Sequence, residues 1–142
     1  MKILLAVDGS KHALHAVDTL IELAEGYRVP PTVELVTVHP SVPQLPGLSK
    51  VVSKAQLQQY YEDEGAARLA EARTMLEGAG IDYEERVLVG SAAEIIAAHA
   101  KAKHCDMIVV GSRGLGAARS LLLGSTAAKL LQLAAVPVLV VR

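Results

Sequence analysis

The chain has 142 residues, of which 51% are hydrophobic and 20% charged. That is enough apolar chain to close one core, and too much for a disordered polymer. A net charge of -1 gives no electrostatic reason to expect nucleic acid or an anionic membrane as a partner. With no Phe or Trp and four Tyr, no aromatic platform for stacking single-stranded bases is expected either. One Cys cannot form an internal disulfide, so a reducing compartment and a cytoplasmic location are expected. The apolar start Ile3-Leu4-Leu5-Ala6-Val7 is cut by Asp8, short of the roughly 7–15 residues of a signal-peptide core. No stretch approaches the roughly 18 apolar residues of a membrane span.

Lys2 to Val7 reads as a strand buried on both faces. Asp8-Gly9-Ser10 breaks it, with Ser10 as N-cap of a helix whose buried face is Ala13, Leu14, Val17, Leu20, Ile21 and Ala24. Gly26 ends that helix, and Val33 to Val38 is the second strand. His39 to Ser53, with Pro40, Pro43, Pro46 and Gly47, reads as a proline-rich loop. Ala55 to Glu77 is a long amphipathic helix carrying Leu57, Tyr61, Leu69, Ala72 and Leu76, ended by Gly78 and Gly80. Its charges between Glu62 and Glu77 read as its wet face. Asp82 to Val89 is the third strand. Ser91-Ala92-Ala93-Glu94 has the form of a capping box, opening a short helix to about Lys103. Asp106 to Val110 is the fourth strand, a helix begins at Ser125, and Pro137 to Val141 is the last strand.

Strand and helix alternate four times before the final strand, with no linker or repeat. This predicts one α/β domain over 1–142, a doubly wound parallel five-stranded sheet with right-handed crossovers and helices on both faces. Ligands of such sheets sit outside the carboxyl ends of the strands, where the strand order reverses. Asp8 ends one strand and Gly111 another. If those strands are neighbours, Asp8 faces the glycine loop across a cleft. The loop reads Gly111-Ser112-Arg113-Gly114, nine residues, then Gly124-Ser125-Thr126 at the start of a helix. Glycines let backbone N–H groups approach a ligand, and a Ser at a helix start adds its hydroxyl to unpaired amides and the positive dipole end. Such a site suits phosphate. Gly111 and Gly116 have Walker A spacing, but Ala117 and Ala118 stand where its Lys and Ser/Thr belong. The first turn lacks the GxGxxG of a dinucleotide fold.

The whole pattern resembles the universal stress protein family, in the subgroup that binds ATP. Three stretches carry the resemblance: Ile3 to Ser10, the Gly-x2-Gly-x9-Gly-Ser signature at Gly111, Gly114, Gly124 and Ser125, and the closing Pro137 to Val141. It implies strand order 3-2-1-4-5 and a homodimer. It also implies that Asp8 and Val38 contact adenosine, while Gly111, Gly114, Gly124, Ser125 and Thr126 contact ribose and phosphates. Ala6 and Val7, which lead into Asp8, and Arg113, inside the loop, complete the candidate set. Arg113 either reaches a phosphate or points to solvent. The nucleotide is ATP, ADP or AMP, with or without Mg²⁺ or Mn²⁺.

Physically, charged hydrogen bonds contribute roughly 1.5–3 kcal/mol each. Three or four, less the cost of immobilising the ligand, give micromolar binding, about -8 kcal/mol. Asp8 repels phosphate, so its place is the sugar, a divalent cation, or simply a cap on the first helix. The loop Leu115 to Leu123 is expected to order around nucleotide. Ser125→Ala with Gly124→Val is expected to cost affinity and spare the fold. His12 and His15 lie three apart on a helix without a third metal ligand nearby; His39, His99 and His104 have no recognisable partner. Cys105 precedes a buried strand and reads as packing. No base for phosphoryl transfer is evident, so a dimeric ATP-binding switch or sensor with little or no turnover is the leading reading. A slow ATPase or nucleotide transferase, and a dimeric interaction module with an empty cleft, are the alternatives. The apolar edge Val138 to Val141 is expected to pair with its copy in the dimer.

Overall fold

The computed structural model describes residues 1–43, 47, 52–115 and 122–142. Five strands, β1 (Lys2–Ala6), β2 (Thr32–His39), β3 (Tyr83–Val89), β4 (Met107–Gly111) and β5 (Val138–Val141), alternate with α1 (Lys11–Glu25), α2 (Lys54–Gly78), α3 (Ala92–Ala102) and α4 (Ser125–Leu133). All strand pairs are parallel, as the alternation of elements predicts, and the order is β3-β2-β1-β4-β5, as the family resemblance implies. The order reverses between β2 and β4, on either side of β1.

Two apolar layers hold the sheet. On one face α1 and α2 bring Ala13, Val17, Leu20, Leu69, Ala72 and Leu76 onto Ile3, Leu5, Leu35 and Val109. On the other, α3 and α4 bring Ala93, Ile96, Ala100, Ala127 and Leu130 onto Leu4, Val36, Ile108 and Val110. Successive strand residues therefore feed opposite layers, as the period of two requires. Ser10 caps α1, its hydroxyl accepting from the Ala13 amide at 3.2 Å, which leaves Asp8 free of the capping role considered for it. Ser53 and Gln56 form a reciprocal capping box on α2 just beyond the proline-rich segment, whose residues 44–46 and 48–51 lie outside the described residues. The box expected at Ser91 does not form. Glu94 is held by Lys129 of α4 and by the Ser91 hydroxyl, which lower its carboxyl to about 2. Gly65 shows how tightly α2 lies on the sheet, because a Cβ there would fall 2.3 Å from Val87 Cγ2.

A buried ionic cluster ties the start of the sheet to α3. Glu34 on β2 is fully buried, with Lys2 Nζ 2.8 Å away, His99 Nε2 at 3.1 Å and Lys103 Nζ at 4.0 Å. His99 thus has a partner that its sequence neighbours do not suggest. Burial pushes the Glu34 carboxyl up, but the hydrogen bonds from Lys2 and His99 and the charge of Lys103 outweigh it and hold the group below the usual carboxylate value. A group that ionises more readily when folded contributes its stability above the unfolded carboxylate pKa and loses it as pH falls through the lowered folded value. Chemical denaturation at falling pH is therefore expected to show an acid-side loss of stability that Glu34→Gln reduces. An acid limb unchanged in that variant would contradict this role.

Candidate functional site

Where the strand order reverses, a cavity of about 320 Å³ opens at the carboxyl ends of β1, β2 and β4. All ten residues named from the sequence line it: Ala6, Val7, Asp8, Val38, Gly111, Arg113, Gly114, Gly124, Ser125 and Thr126. Its remaining wall is largely apolar, with Val36 from the sheet and Ala92 and Ile96, one helical turn apart, from α3. Those α3 residues carry no chemical signature and were not legible as site residues. Their spacing on one helix face was the available sign.

The cavity is open beside β2 because β1 stops first. Ala6 pairs with Val36, and the Val7 amide donates to Val36 O at 2.9 Å, whereas β2 runs on to His39 beside β3. Val38 therefore lies on a strand edge that has lost its neighbour on one side. Behind it, Arg68 Nη1 reaches to 3.5 Å of Val38 O, and the same side chain packs under Gly9, whose φ of +82° suits glycine.

Asp8 and the glycine loop are in contact, not separated by the cleft as expected. Asp8 Oδ1 accepts from the Ser10 amide at 2.9 Å, and Oδ2 accepts from the Leu115 amide at 3.0 Å. A Cβ on Gly114 would stand 2.6 Å from that Oδ2, so the carboxylate fills the space a side chain would take. Gly111 packs equally closely on α1, where a Cβ would meet His12 O at 2.7 Å. The loop is cross-braced by the buried Ser112, whose amide donates to Val141 O at 2.6 Å and whose carbonyl accepts from the Gly124 amide at 2.6 Å. Nothing in the spacing of the motif signals this bracing role of Ser112.

These contacts revise two expectations about donors. The Gly124 amide is spent on Ser112 and the Leu115 amide on Asp8, so neither points freely at a ligand. The N-cap of α4 is Gly124, not a serine, and it has no side chain with which to cap the helix. The first-turn amides of Ser125, Thr126 and Ala127 consequently have no intrahelical acceptor, and their residues line the cavity. Gly124→Val presses on the loop as well as on the site, since a Cβ there would lie 3.1 Å from Ser112 O and 3.2 Å from Arg113 Cα, and those atoms would have to give by a few tenths of an ångström. Residues 116–121, within the loop expected to order around nucleotide, lie outside the described residues. Among the described residues no three His, Cys, Asp or Glu side chains gather to hold a metal ion, and no helix is long and apolar enough to cross a membrane.

A parallel sheet with a glycine-bound cavity at its switch point and an uncapped helix N-terminus opening into it defines a doubly wound α/β protein with an anion-compatible site. The sequence pattern described as the universal stress protein family matches residues 1–142, and the chain belongs to that family. It is similar to Universal stress protein YxiE of Bacillus subtilis (strain 168), with 31% identity over 99% of this chain and 98% of that protein. Among solved structures it is similar to a universal stress protein in complex with cAMP, with TM-score 0.72 and 26% identity over 100% of this chain and 97% of that one. It is also similar to the universal stress protein from Archaeoglobus fulgidus in complex with dAMP, with TM-score 0.64 and 25% identity over 100% of this chain and 98% of that one.

Proposed function

We propose that the cavity binds an adenine nucleotide, ATP or its di- or monophosphate, and that the protein is a dimeric stress-response switch or sensor with little or no turnover. One observation carries the reading: the open amides at the start of α4 and the apolar pocket of Val36, Val38, Ala92 and Ile96 are two ends of the same cavity. Phosphate suits the first end, where partial positive charge and N–H donors coincide. A flat apolar base suits the second, with the backbone edge at Val38 able to hydrogen-bond its rim. At about 320 Å³ the cavity is at the small end of ligand sites, which run to roughly 1,000 Å³. A monophosphate nucleotide would fill it, and further phosphates would extend past Ser125 toward solvent. Two relatives of known structure carry cAMP and dAMP, which share the adenosine-type base and one phosphate. Asp8, between the sugar end and the loop, would face ribose or a cation brought in by the phosphates.

The test is calorimetric titration of the purified protein with ATP, ADP and AMP, preceded by mass analysis of any copurifying nucleotide. Micromolar binding of an adenine nucleotide is expected. Absence of binding in every titration, with nothing copurifying, would contradict the reading. Timed ADP release with excess ATP and Mg²⁺ separates a switch from a slow ATPase, the second reading. Turnover abolished by Asp8→Ala would favour the ATPase.

The sheet edge supports the dimer. Among the described residues β5 pairs only with β4, and Val138, Leu139 and Val140 remain half-exposed, with Leu131 and Leu133 of α4 exposed. An apolar edge strand of this kind is best covered by its own copy across a two-fold axis. Val140→Lys is expected to give a monomer or an insoluble protein by light scattering. A variant that remains a soluble dimer would remove β5 from the interface.

A further inference from the structure

On the layer away from the nucleotide cavity, α1 and α2 end side by side and leave a groove of about 660 Å³, larger than that cavity. Its apolar lining is Ile21, Ala24, Tyr27, Met75 and Ile81, with Gly78 and Gly80 leaving one wall as bare backbone. Tyr27 in that lining is itself an exposed large apolar side chain, whereas the exposed Leu23 and Val29 of the same stretch do not line the groove. Patches of this kind on a soluble protein mark contact surfaces. The groove is also acidic. Asp18 and Glu25 line it, and Glu22 is exposed on the same helix. The carbonyl ends of two helices converge there, and neither helix carries a basic residue in its last turn, where Lys or Arg would ordinarily offset the dipole. The nearest cation on α2, Arg73, is already held by Glu85 through two hydrogen bonds of 2.8 and 3.0 Å. Glu77 is engaged by the Tyr83 hydroxyl at 2.6 Å. Arg28 is exposed and does not line the groove.

We infer that this groove is a docking site for a basic amphipathic segment of a partner protein, one that inserts apolar side chains between Ile21, Met75 and Ile81 and sets its Lys or Arg residues against Asp18 and Glu25. Charge complementarity selects that occupant: an acidic or phosphorylated segment would meet two helix C-termini and two carboxylates. The inference is independent of what fills the nucleotide cavity.

The structure supplies a clean variant. A Cβ on Gly78 meets nothing within 4 Å, so Gly78→Leu is accommodated at its Cβ, adds a bulky side chain to the bare-backbone wall and raises helix propensity. The experiment titrates isotope-labelled full-length protein with a synthetic helical peptide bearing Leu on one face and Lys on the other, and with the same peptide carrying Glu in place of Lys. Chemical-shift changes are expected to cluster at Ile21, Met75, Gly78 and Ile81 with the Lys peptide and to be absent with the Glu peptide. Affinity is expected to fall at least about tenfold in Gly78→Leu, in Asp18→Lys with Glu25→Lys, and on raising the salt. Shifts spread elsewhere, equal binding of the Glu peptide, or wild-type affinity in Gly78→Leu would overturn it. So would a peptide-free self-association that Gly78→Leu dissolves, because the occupant would then be a second copy of this chain.

Discussion

Ser125→Glu is expected to weaken nucleotide binding about a hundredfold while leaving the protein as stable as before, or slightly more so. Ser125 is the first residue of α4 and is exposed, so the change costs no packing. The first turn of α4 carries no acidic residue, and a carboxylate there interacts favourably with the helix dipole by about 0.3–1 kcal/mol. The same charge stands where the phosphates are proposed to lie. Two unit charges about 4 Å apart repel by about 4 kcal/mol at the effective dielectric of a protein surface. Salt and solvent reduce that, and a loss of about a hundredfold in affinity, close to 2.7 kcal/mol, is a conservative expectation. The opposite signs on stability and affinity separate a damaged fold from a blocked site. Retained micromolar affinity in Ser125→Glu, measured by calorimetry, would move the phosphates away from α4.

Gly111→Ala is expected to behave in the reverse way, as a defect of folding before it is a defect of binding. The added Cβ would lie 2.7 Å from His12 O, 2.8 Å from His12 C and 3.1 Å from Ala13 N. All are backbone atoms in the first turn of α1, which is packed on β4 and cannot step aside without moving the sheet's central layer. Overpacking of this kind costs about 3 kcal/mol, at the upper end of the usual range. For a chain of this size that corresponds to a fall in melting temperature of roughly 10 °C. Gly78→Ala, with open space around its Cβ, should be neutral or stabilising in the same melt. A Gly111→Ala protein as stable as the original would show that the signature glycine is needed only for ligand approach.

The contrast bears on what the signature encodes. Its spacing pointed to phosphate, yet Gly111, Gly114 and Gly124 are each pressed against protein: α1 backbone, the Asp8 carboxylate, and Ser112 with Arg113. The glycines shape the loop, and the donors left over belong to the helix that follows. Distinguishing those roles needed three-dimensional distances, because a loop that hugs its own chain and one that cradles an anion demand the same residues.

The fold itself was legible nearly throughout. Apolar runs rich in branched residues mark β1, β2, β4 and β5, β3 being interrupted by Glu84, Glu85 and Arg86, and Ser10 with Gly26 brackets α1 to the residue. What escaped were contacts between distant residues. Glu34 interrupts the apolar run of β2, and nothing local indicates that His99, 65 positions later, completes its hydrogen bonding. Ser91 and Glu94 match a capping box, but the Ser91 side chain caps no helix amide, and the carboxylate takes the Ser91 hydroxyl and Lys129 from another helix. Ser53 and Gln56 match one too, and do form it; proximity to the proline-rich stretch hid the signal. Asp8 was read as facing the loop, and only the structure shows it accepting that loop's Leu115 amide.

A crystal structure grown in saturating ATP tests the central claim most directly. The account predicts phosphate oxygens within hydrogen-bond distance of the Ser125 and Thr126 amides, with the base against Val36, Val38 and Ile96. Nucleotide bound elsewhere, or those amides turned onto the protein's own acceptors with the cavity holding no nucleotide, would contradict it.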